Sequence, residues 1–135
     1  MKAIIIAFLL AIALSDVTVK EIKNVTKSNQ LLFAGNISAS ASSSSNLFFL
    51  FYGVQGVTDR TQLSGYPTMV VFGKYIPSYF SPGSSSQYLN FAGMGPLTIA
   101  SNMTLVTNNN TPSAYSNLMF IDFLGTGFSF ANDTK

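Results

Sequence analysis

At 135 residues, with no cysteine, no histidine, 9% charged side chains and a formal charge of +2, the chain excludes several chemistries before any motif is weighed. A nucleic-acid surface needs clustered Lys and Arg, zinc needs Cys or His ligands, and disulfides need cysteine pairs. Without histidine a Ser-His-Asp relay cannot be completed inside the chain, and no metal is expected.

Lys2 and the apolar run from Ala3 to Leu14, closed by Ser15 and Asp16, read as a signal peptide over residues 1–15 with Ala13 and Ser15 as the small exit residues. The run is too short to cross a hydrocarbon core of about 30 Å. No stable membrane insertion is therefore expected after cleavage, and the chain is expected to enter the secretory pathway. Losing residues 1–15 removes Lys2 and leaves six basic against five acidic side chains, a charge of +1. Residues 16–135 are read as one partial domain, large enough for one small core.

Asp16 to Lys27 has period-two character at Val17, Val19 and Ile22 but falls short of a firm strand. Leu31 to Ile37 is a better strand, interrupted by Gly35, and Ser38 to Asn46 is a Ser- and Ala-rich loop. The aromatic run Leu47 to Val54 has the composition of a central strand buried on both faces. Gly56 to Gly65, carrying Asp59 and Arg60, is a charged surface turn, and Thr68 to Phe72 behind Pro67 is a second buried strand. The prolines, glycines and serines from Gly73 to Ser86 exclude a regular element there. Ser84 to Leu97 holds a short helix with Gln87, Tyr88 and Phe91 on one side, stopped by Gly93, Gly95 and Pro96. Leu97 to Ile99 and Met103 to Val106 form a hairpin-like pair around Ser101 and Asn102, and Asn108 to Ser113 is a loop. Leu118 to Phe123 is a third buried strand, with a tight turn at Gly125 and Gly127. The class is α/β and strand-rich, as in the opening part of an α/β sheet.

Five Asn-x-Ser/Thr sequons, at Asn24, Asn36, Asn102, Asn109 and Asn132, are candidate glycan acceptors behind a signal peptide. Asn109 is disfavoured by Pro112 just past its Thr111, and Asn132 by its closeness to the terminus. Two loops carry polar chemistry. Pro82-Gly83-Ser84-Ser85-Ser86 either opens a helix with backbone N–H groups free to meet an anion or is an ordinary surface turn. In Asp122-Phe123-Leu124-Gly125-Thr126-Gly127-Phe128-Ser129, the aspartate either orients a partner or serves as a structural acceptor for a nearby turn, the commoner case. The acidic residues after Ser15 show no spacing that suggests a glycosidase pair.

From Leu31 to Ala131 the chain resembles the N-terminal third of the serine carboxypeptidases, secreted or lysosomal α/β hydrolases that remove C-terminal residues from peptides. Leu32 to Ile37, Leu47 to Tyr52 and Pro67 to Val71 are similar to the family's early strands. Pro82 to Ser86 resembles the end of W-L-N-G-G-P-G-C-S-S, Gly93 to Pro96 follows at the spacing of a G-P element, and Asn117 to Phe130 resembles N-x-L-F-I-D-Q-P-V-G-T-G-F-S-Y. The resemblance implies peptide substrates, no cofactor and an oxyanion-hole loop over Ser81, Pro82, Gly83 and Ser84.

The chain also departs from that pattern. Tyr79 stands at the place of the family's asparagine, Phe80 and Ser81 at its double glycine, and Phe123-Leu124 at its Gln-Pro. Several extra residues separate Pro67 from Pro82, and a coding sequence for Gly73-Lys74-Tyr75 is compatible with a donor splice signal, so a retained short intron or a gene-model error is expected. The family's nucleophilic serine, triad aspartate and histidine belong to its later part. The expectation is therefore a carboxypeptidase at family level, with this chain an inactive fragment that holds no catalytic residue. The alternatives are a small secreted non-catalytic glycoprotein that binds peptides or proteins, and a peptide anchored by an uncleaved Ala3 to Leu14.

Overall fold

The computed structural model describes residues 17–23, 30–39, 44–73 and 85–131. Seven strands run in chain order: β1 Val17–Glu21, β2 Leu32–Ser38, β3 Asn46–Tyr52, β4 Thr68–Phe72, β5 Leu97–Ile99, β6 Leu105–Thr107 and β7 Asn117–Ile121. One α-helical turn, α1 Ser86–Leu89, continues into a wider π turn over Asn90–Met94, and two 3₁₀ segments span Arg60–Gly65 and Pro112–Ala114. The main sheet has the order β1-β2-β3-β7-β4, while β5 and β6 form a separate hairpin. Three neighbouring pairs are antiparallel; β4 lies parallel to β7, with Thr68 opposite Asn117 and Phe72 opposite Ile121.

Side chains alternate across this sheet as a pleated backbone requires. On one face Leu32, Tyr52, Val71, Leu118 and Phe120 form a cluster, against which Leu89 and Met94 pack from the helical segment. On the other, Phe33, Val54, Val57 and Leu63 gather under the 3₁₀ segment, and Ile37, Phe49 and Ile121 extend the apolar layer. Arg60 sets its guanidinium 5.4 Å from the Phe33 ring centre, closing that side with a charge in water over an aromatic face. The aromatic run of β3 is central, flanked by β2 and β7, with Phe49 buried on one face, Tyr52 on the other and the remaining strand residues half-buried.

Four details differ from the sequence reading. β1 is a definite strand, because pairing of Val17 with Ile37 through to Glu21 with Phe33 supplies backbone partners that its weak apolar pattern does not advertise. Gly35 does not interrupt β2: a side chain there would collide with the Thr18 carbonyl oxygen and lie 2.8 Å from the Phe49 ring, so glycine is what lets β1 and the Phe49 ring close on this strand. The charged turn is a 3₁₀ segment, started by Asp59, whose carboxylate accepts from the Thr61 N–H at 2.9 Å and hydroxyl at 2.7 Å.

The fourth concerns β4, which is no buried strand. It lies at the edge of the described sheet with only Val71 buried, and Met69 and Phe72 are 41% and 44% exposed.

Candidate functional site

The three residues expected to share one side of the helix do not share one environment. Tyr88 is exposed, while Ser86, Gln87 and Asn90 are buried. Polar side chains turn inward because polar partners wait beneath them. Asn90 Nδ2 donates to the Tyr52 hydroxyl at 3.0 Å, and Gln87 Nε2 donates to Ser86 Oγ at 3.2 Å. Burial raises the Tyr52 pKa above its usual value, against a smaller lowering by the Asn90 hydrogen bond.

Asp122 is the centre of this polar layer. β7 delivers it at the end of an apolar strand, and its N–H donates to the Phe48 carbonyl at 3.0 Å, prolonging the ladder by one residue. The side chain is fully buried. Oδ1 accepts from Ser86 N–H at 2.7 Å, Ser86 Oγ at 2.7 Å and Ser85 Oγ at 2.9 Å; Oδ2 accepts from Phe128 N–H at 3.1 Å. A carboxylate out of water is costly unless its oxygens are filled, and here four donors fill them. Ser85 completes the start of α1 by accepting from the Gln87 N–H at 3.1 Å.

The turn after Asp122 is shaped to reach back to it. Gly125 and Gly127 have φ of 76° and 54°. A side chain at Gly127 would collide with Asp122 Oδ2 and approach Ser85 Oγ at 2.8 Å, whereas nothing lies within 4 Å of one at Gly125. Thr126 donates from its N–H and Oγ1 to the Phe123 carbonyl at 3.0 and 2.9 Å. Ser129 Oγ donates to the Asp122 carbonyl at 2.8 Å and accepts from the Phe48 N–H at 2.7 Å, and Phe130 pairs with Asn46. Phe128 stands 69% exposed, its ring centre 5.1 Å from that of Phe48.

Asp122, Gly125, Thr126, Gly127, Phe128 and Ser129 thus form one unit with Ser85 and Ser86. Ser81, Pro82, Gly83 and Ser84, with Tyr79 and Phe80, lie outside the described residues, as do residues 1–15, Asn24 and Asn132. Asn36 sits within β2, and Asn102 and Asn109 are exposed in turns. Among the described residues no group of three or more His, Cys, Asp or Glu is placed to hold a metal ion.

One further hub escaped the sequence reading. Asn117 is buried at the start of β7, accepting from Val54 N–H at 3.2 Å and donating to the Leu63 carbonyl at 2.9 Å. Its place at the head of an apolar strand was the available signal. Tyr52 and Asn90 were missed because a pairing across 38 positions leaves no local mark.

The family model described as serine carboxypeptidase matches residues 81–135, the stretch that holds Ser85, Ser86, Asp122 and the glycine turn. A Dictyostelium discoideum protein named serine carboxypeptidase S10 family member 1 is 31% identical over 127 residues, covering 93% of this chain and 27% of that protein. The chain belongs to the serine carboxypeptidase family. Serine carboxypeptidase 3 of Triticum aestivum is 46% identical over 55 residues, which are 40% of this chain and 11% of that protein. The human probable serine carboxypeptidase CPVL is 32% identical over 107 residues, 78% of this chain and 20% of that protein.

Among solved structures, the prohormone-processing carboxypeptidase Kex1(delta)p of Saccharomyces cerevisiae superposes with a TM-score of 0.58 at 24% identity, covering 82% of this chain and 23% of that one. The fold is accordingly part of an α/β-hydrolase sheet, strand-rich as expected. The chain spans about a quarter or less of the length of the relatives it matches.

Proposed function

We propose that the chain carries the opening portion of a secretory-route serine carboxypeptidase, an enzyme that releases C-terminal residues from peptides by acyl transfer through a serine nucleophile. The observation that carries this reading is the Asp122 unit. It joins the start of α1 to the Gly-Thr-Gly-Phe-Ser turn, and it lies inside the segment matched by the family model.

In this reading Asp122 is a structural acceptor that fixes where the Ser-rich loop enters α1, and Ser81, Pro82, Gly83 and Ser84 form the substrate side of that loop. Residues 1–15 are the signal peptide, residues 16–135 the partial domain, and the sequons are met by glycosylation in the same compartment. The destination is secretion or a lysosome or vacuole. No residue of the chain acts as nucleophile or base.

Full-length transcripts read across Val71 to Ser86 and past Lys135 test the proposal. Reads that continue into a Gly-x-Ser-x-Gly elbow and a later histidine support it. Transcripts that all stop at Lys135 overturn it and leave a non-catalytic secreted glycoprotein.

A further inference from the structure

We propose that Asn102, at the tip of the β5–β6 hairpin, carries an N-linked glycan that covers the apolar surface of that hairpin. This rests on the secretory-route reading above and selects among the sequons by their geometry.

Asn102-Met103-Thr104 occupies an exposed turn closed by Met103 N–H to the Ala100 carbonyl and Ala100 N–H to the Thr104 carbonyl, both 2.9 Å. Met103 sits at φ 63°, the one non-glycine residue with positive φ among those described. Asn102 Oδ1 accepts from Thr104 Oγ1 at 2.7 Å and from its N–H at 3.2 Å. The hydroxyl that a sequon requires is therefore held beside the carboxamide, while Nδ2 makes no hydrogen bond within the described residues. These contacts join residues two apart and form without the rest of the fold.

The other described sequons lack this arrangement. At Asn109 the required hydroxyl, that of Thr111, is buried, donating to the Met94 carbonyl at 3.0 Å and accepting from the Ser113 N–H at 3.2 Å. Asn36 is in mid-strand, paired opposite Thr18 on one side and Phe48 on the other, and lines a shallow groove with Lys20 and Ala34.

The surface around Asn102 supplies a reason for cover. Ile99, Leu105 and Val106 are each exposed by about half or slightly less, and Met103 by 82%. Such a patch at the end of a two-stranded element is an association hazard in a chain with few charges, and a sugar chain rooted at its tip shields it without any packing partner. The chemistry is a glycosyl transfer from a lipid diphosphate-linked oligosaccharide. Nδ2 attacks the anomeric carbon, the N–C bond forms, and the C–O bond to the diphosphate breaks. The lipid diphosphate leaves with the bonding pair, and one Nδ2 proton passes to a base of the transferring enzyme.

The test expresses the full chain in a eukaryotic secretory host, with a second arm in which a leader from a well-secreted protein precedes Asp16. Deglycosylation in heavy-oxygen water followed by peptide mass spectrometry marks every formerly occupied asparagine as a labelled aspartate. We expect occupancy at Asn102 several-fold above that at Asn109, abolished by T104A and retained by T104S, and more aggregate for N102Q than for N109Q. A foreign-leader chain that reaches the lumen with Asn102 unlabelled overturns the proposal. Labelling in the foreign-leader arm alone upholds it and instead defeats the assignment of residues 1–15 as a working signal peptide.

Discussion

Asp122 shows how a residue with the look of a catalytic carboxylate can be wholly occupied by structure. With Ser85, Ser86 and Phe128 all donating to it, Asp122→Asn exchanges one filled acceptor for an N–H₂ group that faces donors. We expect a loss of about 1.5–3 kcal/mol, the usual worth of a hydrogen bond to a charged group, read as a lower urea midpoint. Gly127→Ala meets both a left-handed backbone and the Asp122 carboxylate, whereas Gly125→Ala meets the backbone term alone. The second should cost about 1–2 kcal/mol and the first clearly more. If the two were equal in urea unfolding, the contact with Asp122 would not be a tight one. Tyr52 sets an alkaline limit. Its pKa is raised in the folded chain, so the unfolded chain releases that proton first, near pH 10. Stability contributed at neutral pH is then lost as pH climbs from that value toward the folded one. Melting temperature should fall across that window, with a shallower slope for Tyr52→Phe.

At the level of elements, legibility followed how far a segment's own residues decide its surroundings. The aromatic run of β3 and the apolar run of β7 demand cover on both faces, and the sheet gives it to them. β4 has an equally apolar sequence but pairs on one side only among the described residues, and nothing within Thr68 to Phe72 encodes the missing neighbour. The contrast is measurable. Phe120→Ala, in the covered β7, should cost about 3–5 kcal/mol, while Met69→Lys on β4 should stay within about 0.5 kcal/mol. A large loss for Met69→Lys would mean that β4 is covered after all. The helical segment was misread for the opposite reason. Its buried side is polar, so grouping Gln87 with Tyr88 and Phe91 caught one buried residue and left out Ser86 and Asn90. Burial there follows from Asp122 and Tyr52, both distant in sequence. The hairpin and the glycine turn were readable because short-range turn chemistry fixes them.

For the whole molecule, the glycine turn and its resemblance made the family visible, while the strand order did not follow from any local pattern. Since no histidine is present, the 135-residue chain should release no C-terminal residue from an N-blocked dipeptide above the rate of buffer alone; sustained turnover would refute this. The position of β7 has its own kinetic outcome. The strand made last of the five lies between two made much earlier, with Phe49 to Tyr52 against one flank and Thr68 to Phe72 against the other. During synthesis β3 and β4 must therefore wait apart, each with a bare row of amides and carbonyls, until residues 117–121 have left the ribosome and slid between them. A ribosome that pauses before Asn117 therefore displays a sheet that cannot yet shut, with open edges of the kind that pair with other chains.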